Sequence, residues 1–180
     1  MELAIAMAIM LILSAIAIPS MKRTLRGYQL NDAANQVAGI VKFTRFEAIR
    51  RNSPVTCVNA QNVANGPTTI WSDDNADNVA QSTEKQILLI GSMNLQPAGA
   101  VPNTGGLAAA VGAGALTAIN PINGNITFDQ RGAVVPPGLY VFYVGNSTPP
   151  DVAYRAVIIL PSGSIQVWTY NGGGTWVQLS

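Results

Sequence analysis

The run Met1–Pro19, MELAIAMAIMLILSAIAIP, decides how the rest of the chain is read. From Leu3 to Ile18 it has sixteen residues with no charge and one hydroxyl, Ser14, and no turn signal separates it from the helical pattern that continues to Arg51. At about 1.5 Å per residue the run covers roughly 24 Å, marginal against a bilayer core of about 30 Å. It lacks the form of a secretory signal peptide, because the charge before it is acidic, Glu2, and the basic cluster Lys22, Arg23 and Arg26 follows it. Basic residues on that side favour holding the C-terminal flank in the cytoplasm. Export of the distal part then needs a dedicated machine.

Charge is distributed unevenly. The chain has 180 residues, 11% of them charged and 48% hydrophobic, with a formal net charge of +1. Residues 22–51 carry seven basic groups against Asp32 and Glu47, a net +5, whereas residues 52–180 carry Lys85, Arg131 and Arg155 against six acids, a net −3. The low charge density suits a surface that packs against copies of itself. Cys57 is the one cysteine, which excludes an intrachain disulfide and reads as a small buried hydrophobe.

Beyond Ser20 the pattern becomes amphipathic. Leu30, Ala33, Ala34, Val37, Val41, Thr44 and Ala48 recur at spacings of three and four, the stripe of a helix that lies under a sheet. Phe43, Phe46 and Ile49 widen it. Ser53-Pro54 ends the helix, since a residue before proline avoids helical angles. Pro19 inside the pattern removes a backbone hydrogen bond, at a cost of about 3 kcal/mol unless relieved. It predicts a kink, or a segment that loosens so that the helix can stretch. Gly27 is a second weak point.

From Val55 the period becomes that of strands. Candidates are Val55–Val58, Thr68–Trp71, a buried strand Gln86–Ile90 ended by Gly91, and Asn125–Phe128 leading into the turn Asp129-Gln130-Arg131-Gly132. Leu139–Val144 alternates as a strand, and Tyr154–Leu160, Ile165–Tyr170 and Thr175–Leu179 then read as three consecutive strands of a meander, with Pro161-Ser162-Gly163-Ser164 as a hairpin turn. One sheet face would cover the helix stripe and the other would face out. Residues 97–124, PAGAVPNTGGLAAAVGAGALTAINPING, are uncharged and rich in Ala, Gly, Pro and Asn. They read as a long surface loop that packs on a neighbouring subunit.

Chemistry-bearing patterns are few. Asp73-Asp74-Asn75-Ala76-Asp77 lacks the glycine and the terminal glutamate of a calcium loop and reads as solvated. There is no histidine, no nucleotide loop and no activated nucleophile, so no catalysis, cofactor or metal is expected. Trp168, Tyr170 and Trp176 read as sheet packing. Asn125-Ile126-Thr127 and Asn146-Ser147-Thr148 match the glycan acceptor pattern at Asn125 and Asn146.

Glu2, seventeen residues before Pro19 and ahead of a long helix, resembles the N-terminus of type IV pilins and type II secretion pseudopilins. The helix end Phe43-Thr44-Arg45-Phe46-Glu47-Ala48-Ile49-Arg50-Arg51-Asn52-Ser53-Pro54-Val55 and the tail ITFDQRG, followed by a strand, a turn with Gly163 and a strand, resemble the GspH/FimT-like branch. The resemblance implies an α+β, pilin-like fold. Residues 1–51 form one helix, hydrophobic over 1–19 and amphipathic over 20–51, packed on an antiparallel β-sheet domain of residues 52–180. It also implies a structural filament subunit that leaves the bacterial inner membrane for an extracellular or periplasmic filament. Minor pilin or secretion pseudopilin is the alternative. Implied partners are other copies of the chain, the lipid bilayer before assembly, an inner-membrane assembly platform and the prepilin peptidase, whose leader and cleavage site lie outside this sequence. The assembly residues would be Glu2, Leu3, Ile5, Met7, Ile9, Leu11, Leu13, Ile16 and Pro19, with Glu2 neutralising the N-terminal amine of an adjacent subunit. DNA-binding relatives carry a Gly-Arg-x-Arg motif in the C-terminal hairpin. Here Gly163-Ser164-Ile165-Gln166 keeps the glycine and neither arginine, so nucleic acid is not expected as a partner.

Overall fold

The computed structural model describes residues 2–61, 66–89, 93–146, 153–170 and 172–179. Within the first helix the side chains of residues 2–6, 8, 14, 16, 17, 19 and 23 lie outside the description. Helix α1 spans Glu2–Arg51 and runs through Pro19 and Gly27 without a break. Its end is built from two backbone bonds, Ser53 N–H to Ala48 O and Asn52 N–H to Ile49 O, each 3.2 Å. Asn52 sits at φ 52°, the left-handed residue such a terminus requires, and Pro54 follows. The stop therefore depends on Asn52 as well as on the expected Ser53-Pro54.

Among the described residues the strands make two sheets. One has the order β3-β2-β1-β6-β7, from β1 (Val55–Gln61), β2 (Thr68–Asp73), β3 (Gln86–Leu89), β6 (Asn125–Phe128) and β7 (Val134–Val135). The other has the order β11-β10-β9-β8-β4, from β4 (Met93–Gln96), β8 (Tyr140–Asn146), β9 (Tyr154–Ile159), β10 (Ile165–Tyr170) and β11 (Trp176–Gln178), with β5 (Thr117–Ala118) parallel to β8. The C-terminal meander is as expected. Strands β4, β5 and β7 are not legible in the sequence, and β5 and β7, at two residues each, are too short to show a period. The expected strand Gln86–Ile90 is a sheet edge with Gln86 and Leu88 exposed; Ile90 and Gly91 fall outside the described residues.

Every residue of the predicted stripe on α1 is buried. Leu30, Ala33, Ala34, Val37, Val41 and Ala48 join Val55, Cys57, Ile70, Phe128, Phe142, Val157 and Ile159 in one core between the helix and the inner faces of both sheets, with Thr44 also buried and its hydroxyl donating to Ile40 O. Phe43, Phe46 and Ile49 do not widen this stripe; all three are exposed, because the sheets meet the helix on one side only.

The outer face of the meander is covered too, which corrects the expectation that it faces out. The segment 97–124 forms a 3-10 turn Ala98–Ala100 and a helix α2, Thr104–Ala110, before β5. Val101 and Leu107 pack with Tyr143, Tyr154, Ile158, Trp168 and Trp176 in a second core. Asn103 caps α2, its Oδ1 accepting from Gly106 N–H at 3.1 Å. Its carbonyl accepts from Trp176 Nε1 at 3.0 Å. An uncharged stretch of Ala, Val and Leu has apolar area to bury, and a sheet face of the same chain supplies the place.

Candidate assembly surface

The N-terminal half of α1 leaves its apolar side chains in the open. Met7, Ile9, Leu11 and Leu13 are exposed, as are Met10, Ile12, Ile18, Met21, Leu25 and Tyr28. Eight of these ten fall between residues 7 and 21, so the run forms an apolar rod that water does not favour, at about 25 cal/mol per Å² left uncovered. Leu3, Ile5, Ile16 and Pro19 belong to the same helix, but their side chains, and that of Glu2, lie outside the described residues. Among the described residues no helix is long and apolar enough to cross a membrane. Beyond the rod, Lys22 is exposed and Arg26 is half-buried with a partner.

At the other end of α1 a cation ties the two sheets together. Arg45 Nε donates to Gly132 O at 3.0 Å. Gly132 ends the turn after β6 and Gly163 lies in the hairpin between β9 and β10, both at φ +77°. A Cβ on Gly163 would overlap the Gly132 carbonyl oxygen and come within 2.7 Å of Arg45 Nε. The turns are joined further by Val134 N–H to Pro161 O at 3.0 Å, and Asp129 Oδ1 accepts from Arg131 N–H and Ala133 N–H at 2.8 Å each. Both turns belong to the stretches that carry the family resemblance. Their meeting on Arg45 is a tertiary fact with no local signal.

Next to it lies a charged cluster. Arg50 donates to Glu47 from Nε and Nη2, the latter at 2.6 Å, and Arg51 donates to Glu47 at 3.1 Å while also pairing with Asp74. The hydrogen bonds from Arg50 hold the Glu47 carboxyl below the usual range, with Arg51 adding to this and partial burial opposing it.

The acidic loop is not simply solvated. Asp73, Asp77 and Glu84 bring carboxylate oxygens within 4.8 Å of one another, and Asp73 and Glu84 are buried. Their oxygens accept backbone N–H groups of the loop: Asp73 from Ala76 and Asn78, Glu84 from Asp74 and Gln81, Asp77 from Val79. Among the described residues this is the group that could hold a cation, and Glu84's part in it was not read from the sequence. The acids fold the loop by replacing its missing ladder partners.

The C-terminal hairpin presents an exposed Ser164 and a half-buried Gln166, whose Oε1 accepts from Trp168 Nε1 at 3.1 Å. Trp176 stacks tilted on Tyr170 and Tyr143, ring centroids 5.3 and 6.3 Å away. Asn125 is exposed on β6, whereas Asn146 is buried at the end of β8; Ser147 and Thr148 lie outside the described residues. Burial pushes the Cys57 thiol up to about 12.

Among curated proteins none matches this chain. Two crystal forms of the type IV minor pilin FimU of Pseudomonas aeruginosa resemble it. One has a TM-score of 0.51 at 16% identity, covering 79% of this chain and 90% of that one. The other has a TM-score of 0.49 at 17% identity, covering 77% and 91%. At such identity the first likeness speaks for the fold, a long helix packed on antiparallel sheets. The sequence model described as type II transport protein GspH matches residues 33–163, from the buried stripe of α1 to the hairpin glycine that meets Arg45. With that match spanning well over half of its length, the chain belongs to the GspH family of type II transport proteins, in the class of type IV pilins and pseudopilins.

Proposed function

We propose that this chain is a structural subunit of a type IV pilus-like filament, polymerising through the first half of α1 after extraction from the bacterial inner membrane. The observation that carries the reading is the run of exposed apolar side chains from Met7 to Met21, continuous with a helix half whose own apolar stripe is fully used inside the domain. Such a rod is stable in lipid before assembly and against the rods of other copies afterwards. Glu2 then enters the filament core only if a cation meets it, and the N-terminal amine of an adjacent subunit is that cation. Pro19 marks the point where the helix loosens as the filament stretches. An assembly platform and a prepilin peptidase supply the energy and the processing that this chain does not. The destination is an extracellular or periplasmic filament, with no catalytic step.

Electron cryomicroscopy of material sheared from native cells tests the reading: filaments built of this subunit throughout are expected, with Leu3–Ile18 in the core. Glu2→Ala should leave membrane insertion intact and abolish polymer; normal filament yield from that variant would sink the role of Glu2. The match to the GspH family favours a second reading, a low-copy minor pilin or a pseudopilin of a secretion apparatus, in which the subunit sits at filament tips or in a short periplasmic polymer. Density confined to tips, or recovery from the inner membrane alone, would select it. DNA binding is not proposed, since the hairpin carries Ser164 and Gln166 where the basic motif would stand. A salt-sensitive gel shift with the full chain would reverse that.

A further inference from the structure

A cavity of about 270 Å³ opens between α1 and the edge of the meander, lined by Asn31, Asn35, Val167 and Leu179. Its volume is several times the roughly 30 Å³ that a water occupies, so it has room for a side chain. Arg155 of β9 stands against one wall and donates from Nε to Asn31 Oδ1 at 2.7 Å and from Nη1 to Tyr154 O at 3.0 Å. Among the described residues no carboxylate pairs with this half-buried guanidinium. Burial lowers its pKa with no anion to oppose the effect. A desolvated cation without a counter-charge is costly, and it marks a place where charge is expected to arrive from outside.

The bond to Arg155 also orients Asn31. With its oxygen taken by the cation, Asn31 has its two amide N–H groups left to donate, and the pull on its oxygen makes them stronger donors. Asn35, one turn further along α1 and exposed, offers a second amide on the same side. The polar part of the cavity is thus built to meet an acceptor. Val167 and Leu179 make the remaining walls, and Leu179 is 53% exposed. A small inorganic anion would leave that apolar surface bare, whereas a carboxylate on an aliphatic stem covers it. Residues 52–180 of this chain carry a net −3, so the domain of a second subunit of the same type can present such a group.

We propose that this cavity is a subunit contact that takes a carboxylate-bearing side chain of a second pilin-like subunit, held by the amides of Asn31 and Asn35 with Arg155 behind them. The contact rests on the filament reading above but uses a different part of the molecule, the flank of the domain and not the apolar rod.

Two substitutions in the full chain, expressed in native cells, test it. Asn35→Lys puts an amine in the cavity, and a water-soluble carbodiimide joins it to a neighbouring carboxylate as an amide. The expected product is a link from position 35 to an Asp or Glu of a second subunit, located by peptide mapping. Links only within the chain overturn the proposal. Asn31→Asp supplies Arg155 with a counter-charge and replaces the donor by an acceptor. If the Arg155 contact were purely structural, this variant would assemble normally. Expected instead are an unchanged or raised thermal midpoint and at least a tenfold loss of the chain from sheared filaments. Wild-type incorporation would overturn the contact. A link to a second subunit in membranes of cells whose filaments lack the chain would support the contact and remove the filament reading.

Discussion

The two halves of α1 have the same backbone and opposite uses. From Leu30 to Ala48 the apolar residues are confined to a stripe, and the chain's own sheets bury it. From Met7 to Tyr28 the described apolar residues point in many directions, and the domain covers none of those that are exposed. Helix formation therefore says nothing about what a helix is for. A stripe about 100° wide can be satisfied by one sheet-bearing domain, whereas an apolar surface all round needs lipid or several other helices.

The sharpest way to break this comparison is chemical. Cys57 lies in the core beside the second half, and Tyr28→Cys would place a thiol on the open side of the first. The introduced thiol should be alkylated at once at pH 8, and Cys57 should be protected by at least about a thousandfold, since its reaction needs global opening. The sign of its titration agrees. Burial raises the folded pKa to about 12, so the contribution of the neutral thiol to stability is complete below its unfolded value of about 8.5 and is lost as pH rises toward 12. Rapid alkylation of Cys57 in the native chain would place it outside the core.

Truncation separates the halves by energy. Ile40→Ala should cost about 3 kcal/mol in urea unfolding, and Leu11→Ala less than about 0.5 kcal/mol while lowering filament yield. Equal costs would mean that the first half is packed on its own domain. Gly163→Ala examines the far end of α1. It combines a positive φ with a collision against the Gly132 carbonyl, so a loss of about 2 kcal/mol is expected, and an unchanged midpoint would show that the Arg45 junction can yield. Smallest is Glu47→Gln, below about 1 kcal/mol for an ion pair near the surface. Because Arg50 and Arg51 depress the folded pKa of Glu47, its contribution is present above the unfolded carboxylate value and lost as pH falls through the folded one. Variant and wild type should differ at pH 7 and converge as pH falls below the unfolded carboxylate value. A difference that persists at low pH would point to packing instead of charge.

Several of these features were legible beforehand because they are local. The stripe on α1, the meander and the hairpin glycine each follow from a period or a turn rule acting over a few residues. Segment 97–124 was misread for the same reason. Its glycines and prolines speak locally against order, and the decisive partner, the outer meander face with Tyr143 and Trp176, lies elsewhere in the chain. Phe43, Phe46 and Ile49 were misassigned because a helical wheel shows which residues share a face and not how far a sheet extends over it. The cavity beside Asn31 could not be read at all, since its four lining residues come from α1, β10 and the residue that follows β11.

What the sequence by itself determined is the long helix with its two kinds of apolar surface, the α+β order and the family resemblance, all of which arise from interactions between residues close along the chain. What only the tertiary structure decided is the covered second face of the meander, the Arg45 junction between two glycine turns, and the half-buried Arg155 with its amide partner. Each needs residues brought together from distant elements, and the free energy of those contacts exists only once the chain has closed around them.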